Sequence, residues 1–320
     1  MTEPVFDSVQ AIVEKATATG AAMWRVVLDE ELEDTHKTEA EVLERLGQRL
    51  DTMREAVERG LESEAPSVSG LLGGGARAFE AWRLGGGRPS LVGPFVGGVI
   101  ARAQATMEVN ARMGTIVATP TAGSSGILPA ILLSAREALD LSDRDLVQGL
   151  LTAAGVGQVI VARASVAGAT GGCQAETGSA AAMAAAALTE LRGGSPGQAG
   201  EAVAFTLQGM LGLICDPVGG LVEVPCLTRN VSAAVQAVAA SEMALAGLRF
   251  PIPADEVIDV MGQIGREMDE RYRETAKGGL ATTPTGQRLA ASVRWDGPDL
   301  ANTNLGRAEG LAEEAEGGEA

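Results

Sequence analysis

The stretch SAAAMAAAALTELR, residues 179–192, decides the fold class. Alanine is the strongest helix former because its side chain loses no rotamer freedom and hides no polar group. Comparable alanine-rich stretches, divided by glycine and proline breaks, run over residues 97–113, 129–139, 143–164, 196–213 and 230–248. A last helix is expected over 255–273. Strand signals are confined to residues 115–119 and 158–161, both short. The pattern predicts an all-α or nearly all-α fold. With 46% hydrophobic residues, 3% aromatic residues and 42 glycines, the core has to be built from small side chains that let helices approach closely.

Outside this block, Thr38 and Glu41 form a capping-box pattern, followed by Leu43, Leu46, Leu50, Met53, Val57 and Leu61 at alternating three- and four-residue steps. That spacing makes an amphipathic helix. Residues 1–65 therefore read as an N-terminal helical segment packing on the core. Between residues 62 and 94 two glycine triplets and Pro66, Pro89 and Pro94 mark loops around a short helix with Phe79 and Trp82. Neither triplet is followed by the Lys-Ser/Thr of a phosphate loop, so they read as flexible connections. Residues 291–320 form an acidic mixture of glutamate, glycine and alanine, expected to be disordered because it has little to bury.

A net charge of −17 argues against nucleic acid or an anionic membrane as partner. The most apolar stretches are interrupted by Gln208, Gln236 and Glu242, so no bilayer span is expected. No secretory signal is read either, and the expected location is the cytoplasm. The only lysines are Lys15, Lys37 and Lys277, which leaves few candidates for Schiff-base chemistry.

Chemistry-bearing residues gather in a few phrases. Cys173, Cys215 and Cys226 each stand beside glycine, proline or aspartate in segments dense with small residues. Their odd number argues against a disulfide framework. They are either ligands of a metal or cluster, or buried small residues, and no pair has the C-x-x-C spacing of a zinc ribbon or ferredoxin. PTAGSSGILP, residues 120–129, puts hydroxyls and backbone N–H groups before an apolar helix, an arrangement that suits a carboxylate and equally an ordinary helix cap. Glu176 is either a base, an ammonium ligand or simply an acidic residue in the first turn of a helix.

Read in order, PTAGSSGILP, GGCQAETGSA (residues 171–180), CDPVGGLVEVPC (215–226) and RETAKGGLATTPTG (273–286) resemble the iron-sulfur-dependent L-serine dehydratases. The likeness is to the alpha chain of the two-subunit type, and it extends from the first helix to about residue 290. Gly219 stands where that family usually has alanine, and Lys277 where it has a neutral residue. The family's Ser-Ser-His-Thr phrase, carried by the other subunit or domain, is missing. The sole histidine, His36, lies in a polar segment that does not match it and reads as a surface residue.

The resemblance implies that residues 66–290 form the catalytic domain and that Cys173, Cys215 and Cys226 hold a 4Fe-4S cluster with one iron open to substrate. That iron would act as a Lewis acid on the hydroxyl of L-serine, giving pyruvate and ammonia. Thr121, Ser124, Ser125 and Arg273 would hold the substrate carboxylate, and Glu176, or a histidine of the partner subunit, would serve as base. A separate beta subunit and an oligomeric enzyme are implied as well. Competing readings are a pyridoxal-phosphate dehydratase using Lys277, a non-catalytic iron-sulfur sensor, and a cysteine desulfidase on the same fold.

Overall fold

A computed structural model describes residues 6–85, 87 and 90–293, which form thirteen α-helices and no strand. In chain order these are α1 (Val9–Thr19), α2 (Met23–Thr35), α3 (Glu39–Glu62), α4 (Gly75–Leu84), α5 (Gly93–Ala111), α6 (Ile127–Leu139) and α7 (Asp143–Arg163). The short α8 (Gly168–Gly171) precedes α9 (Ser179–Leu191), α10 (Pro196–Gln208), α11 (Cys226–Leu245), α12 (Ala254–Glu267) and α13 (Pro284–Ser292). Fold class is as the alanine-rich pattern predicts.

Local chemistry sets the helix starts. Thr38 and Glu41 exchange hydrogen bonds at the start of α3, as Ser142 and Asp145 do for α7, and Ser195 and Gln198 for α10. Each reciprocal pair satisfies backbone N–H groups that have no partner within the helix.

Helix α9 is the axis of the molecule. Every residue from Ser179 to Thr189 is buried, and α6, α7, α10 and α11 pack around it. Methyl-sized side chains permit that crowding. Crossings elsewhere are as close: a Cβ on Gly60 of α3 would stand 2.2 Å from the Ala105 carbonyl oxygen of α5. Val9 and Ile12 of α1, Met23 and Val26 of α2, and Leu50, Met53 and Val57 of α3 belong to the same buried cluster as α9.

Several boundaries differ from the expected ones. Residues 158–161 lie inside α7, where helical spacing buries Val159 and Ile160 in the main core despite their β-branched side chains. Residues 115–119 form no strand: 115–118 have no regular structure and Thr119 lies in a bend. Helix α10 stops at Gln208, before the left-handed Gly212, and α11 begins at Cys226, four residues ahead of the alanine pattern. Helix α12 ends at Glu267, with Met268 extended. By length and composition α7 could cross a membrane, yet 67% of its most apolar window is buried in the bundle. The acidic tail lies outside the described residues from 294 onward, and residues 291 and 292 close α13.

Candidate active site

Four connections between helices meet beside the first turns of α9 and α11. They are the segment before α6, the α8–α9 junction, the α10–α11 connection and the segment after α12. Asn230 of α11 ties two of them, donating to the carbonyls of Gly123 at 2.7 Å and Cys226 at 2.9 Å while accepting from Gly126 N–H at 3.0 Å. Gln174 ties two more. It donates to the Gly171 and Met261 carbonyls at 3.0 and 3.1 Å and accepts from Gly212 N–H at 2.9 Å. The chain at Cys215 runs beside Arg273: Cys215 N–H donates to the Tyr272 carbonyl at 2.8 Å, and Glu274 N–H to the Cys215 carbonyl at 3.0 Å.

All three cysteines are buried free thiols brought to this junction. Cys173 precedes one widened helical turn, Gln174–Gly178, of the kind that often marks functional sites. Before it, Gly172 has φ 73° and ψ −177°, a conformation open only to glycine, and a Cβ there would meet Met268 Sδ at 2.6 Å. Cys226 opens α11. The Cys173 Sγ lies 3.3 Å from the Thr177 hydroxyl, and the Cys215 Sγ 4.0 Å from Glu176 Oε2.

Glu176 projects from the widened turn into a cradle without side chains. Cβ atoms on Gly123 and Gly168 would stand 2.8 and 2.5 Å from its carboxylate oxygens. Thr121 donates to its Oε1 at 2.7 Å. Burial pushes the Glu176 carboxyl up to about 7, opposed by the Thr121 bond and helped by the charge of Glu274. Ligand atoms of Glu176, Cys215 and Glu274 lie within 4.8 Å of one another. Glu274 sits at φ 62°, a strained setting for a residue other than glycine.

The thiols are held in a setting hostile to bare thiolates. Burial raises Cys173, and it raises Cys226 to about 12, with the charge of Cys173 adding to it. Cys215 goes up further, from burial first and then from Cys173 and Glu176. Thiolates so placed need a cation, and a metal centre is the usual source. The soft thiol of Cys215 with the carboxylates of Glu176 and Glu274 forms a donor set that fits one.

The other expected residues fall in different settings. Ser124 and Ser125 are fully buried, with hydroxyls occupied inside their own loop: Ser124 donates to the Thr119 carbonyl at 3.2 Å and Ser125 to the Ala122 carbonyl at 2.8 Å. Arg273 has a buried Nε without a hydrogen-bond partner and makes no ion pair among the described residues. Lys277 lies exposed on Glu270 at 2.7 Å, and His36 is an exposed residue closing α2.

Sequence reasoning missed Glu274, Asp216 and Arg229. Arg229 lies one helical turn after Cys226, and its half-buried guanidinium is held 2.7 Å from the buried carboxylate of Asp216. Both stand inside or beside the cysteine phrases, and an i, i+3 reading of the α11 start could have found Arg229.

Comparison with known proteins follows the same lines. The profile of the serine dehydratase alpha chain family matches residues 18–281. A probable L-serine dehydratase alpha chain of Bacillus subtilis is 46% identical over 289 residues, which cover 90% of this chain and 95% of that one. The L-serine dehydratase alpha chain of Peptoniphilus asaccharolyticus is 42% identical over 286 residues, 89% of this chain and 97% of its own. An L-serine dehydratase of Streptomyces coelicolor is 38% identical over 275 residues, 83% of this chain but only 58% of its own length.

Proposed function

The chain belongs to the serine dehydratase alpha chain family, and from that premise we propose that it is the alpha subunit of an L-serine dehydratase holding a 4Fe-4S cluster on Cys173, Cys215 and Cys226. One observation carries the reading: three free thiols from separate phrases are buried near enough to influence one another, and one of them, Cys215, lies 4.0 Å from the carboxylate of Glu176. When bound, the cluster supplies a Lewis acid for departure of the substrate hydroxyl.

The chain's own residues do the rest. Arg273, whose Nε has no partner among the described residues, takes the substrate carboxylate, and a guanidinium fork suits that group. Thr121 holds the Glu176 carboxyl in place. Ser124 and Ser125 act through the loop they stiffen. Glu176, with its affinity for a proton raised to the neutral range, receives the α-proton of serine, or passes that role to a histidine of the partner subunit. Loss of that proton and of hydroxide leaves aminoacrylate, which becomes the imine and hydrolyses to pyruvate and ammonia. The glycine cradle and the Thr121 bond keep its carboxyl in place for this step.

A separate beta subunit completes the site. Support comes from relatives named as alpha chains, and from a sole histidine, His36, that closes a helix at the surface. Three unpaired thiols suit the reducing cytoplasm.

The test is anaerobic reconstitution of the chain with iron and sulfide, with and without its beta subunit, followed by pyruvate assay on serine and, for threonine and cysteine, assay of the matching oxo acid. Turnover of serine is expected only with cluster and both chains present. Full turnover by metal-free protein would overturn the cluster, and full turnover by the isolated chain would overturn the partner.

A further inference from the structure

Three ligand-bearing segments have to be held in register before any cluster can bridge them, and one side chain joins two of them. Arg229 follows Cys226 by one turn of α11. Its Nη1 donates to the Ile214 carbonyl at 2.9 Å and lies 2.7 Å from Asp216 Oδ1, so it grips both chain neighbours of Cys215.

The clamp is itself fixed. Asp216 is 1% exposed, and its Oδ2 accepts from Leu280 N–H at 2.7 Å, which anchors it to the segment after α12. A Cβ on Gly279 would stand 2.2 Å from that same oxygen, so the segment lies directly on the carboxylate. An arginine tied at one nitrogen still offers Nε and Nη2 as donors in a rigid fork. Burial alone would lower the guanidinium, but Cys173 and Asp216 hold it above its ordinary value. Its positive charge acts on Cys173 and on Cys226 alike.

We propose that Arg229 is a positioning residue for the cluster, joining the Cys215 and Cys226 segments and neutralising part of the charge that the thiolates bring into a buried site. The inference rests on the cluster reading above. A nearby positive charge stabilises the bound, electron-rich state, and polar groups around a cluster tune its potential. Removing them should loosen the iron and disfavour reduction.

The experiment uses the full chain reconstituted anaerobically as wild type, Arg229→Lys and Arg229→Gln. Iron and sulfide per chain, the rate of iron loss to a chelator, the cluster midpoint potential and the melting temperature of the metal-free chain are measured. Arg229→Gln is expected to lose iron about tenfold faster with a more negative potential, as one nearby charge in a buried setting is worth at least that much. Arg229→Lys should bring the potential back toward wild type while iron loss stays faster, because the charge returns without the fork. A purely structural arginine would lower the melting temperature in both variants and leave the potential unmoved, which overturns the proposal. Should Arg229→Gln fail to fold, the lysine variant decides by iron loss: faster loss with an unchanged metal-free melting temperature supports the proposal, and loss at the wild-type rate, or a melting temperature lowered with the potential unmoved, sinks it. A wild-type chain that takes up no cluster removes the cluster reading itself, whereas a wild-type cluster indifferent to Arg229→Gln removes only this inference.

Discussion

Gly123 and Gly168 matter for the side chains they lack. A methyl group on either would press into the carboxylate of Glu176, at 2.8 or 2.5 Å, and on Gly168 also stand 3.1 Å from Glu274 Oε2. What it meets is the free end of a flexible side chain, so the fold can yield by moving the carboxylate. Gly168→Ala should therefore leave the melting temperature within a few degrees of wild type and lower kcat at least about tenfold, since a misplaced group of this kind loses its reaction geometry. A variant that melts early with kcat intact would show that the cradle serves the fold and not the carboxylate. Cys173→Ser, Cys215→Ser and Cys226→Ser should each lose iron on anaerobic reconstitution, because a hydroxyl replaces a soft thiolate; a serine variant with full iron content would remove that cysteine from the ligand set. At this scale the cysteines and Glu176 were legible because unusual residues stood in glycine-rich phrases. Arg229, Asp216 and Glu274 were not, since charged residues are common in any sequence. What distinguishes them is burial and a partner far along the chain, such as Leu280 for Asp216, 64 residues away.

Helix α3 contains a matched pair of tests of close packing. Gly60 lies against the backbone of Ala105, 2.2 Å from where a Cβ would be, whereas Gly47 has nothing within 4 Å. Gly60→Ala forces α3 and α5 apart and should cost about 2–3 kcal/mol. Gly47→Ala should instead stabilise by about 0.5–1 kcal/mol, the ordinary helix gain over glycine. Urea titration of both variants checks the pair, and equal effects would mean that α3 is not seated on α5. Helix α2 offers a second test, because its start is capped from across the fold. Met23 N–H donates to Glu190 of α9 at 2.5 Å and Trp24 N–H at 3.3 Å, while Thr152 of α7 donates to the same carboxylate. Burial raises the Glu190 carboxyl above 4.5, against the pull of those donors. The folded chain thus holds this proton more tightly than the unfolded one, and the associated stability is complete below about 4.5 and lost as pH rises through the folded value. Glu190→Gln stays neutral throughout. The stability advantage of wild type over this variant should shrink between about pH 4 and about pH 8, and an advantage that grows would mean that the capping N–H groups outweigh burial. Capping boxes at Thr38, Ser142 and Ser195 could be read from sequence because both partners lie three residues apart. A cap supplied by Glu190, 167 residues from Met23, could not.

For the molecule as a whole, the question is how far the fold depends on its site. Alanine-rich periodicity made the helical class legible, because a core of methyl groups needs no long-range detail to announce itself. The convergence of four connections was legible only through the resemblance, since loop paths follow from tertiary contacts such as those of Asn230 and Gln174. The main buried cluster runs from Phe6 to Met261 without including any of the three cysteines, and Cys226 joins only a small separate group with Met107 and Leu227. Structural metal domains behave otherwise: their binding energy is their folding energy, and chelators unfold them. Here the core is closed by α9 and its neighbours, and the cysteines sit in connections at its edge. Removing iron by aeration or chelation should therefore abolish serine turnover while helical circular dichroism stays near its starting value and the melting temperature falls by only a few degrees. Turnover and circular dichroism followed in one time course would test this directly. If ellipticity collapses together with activity, the cluster is part of the folding core, and the separation of site from scaffold drawn from the buried cluster is wrong. If activity persists for hours in air with iron lost, the chemistry does not pass through a cluster on these cysteines at all.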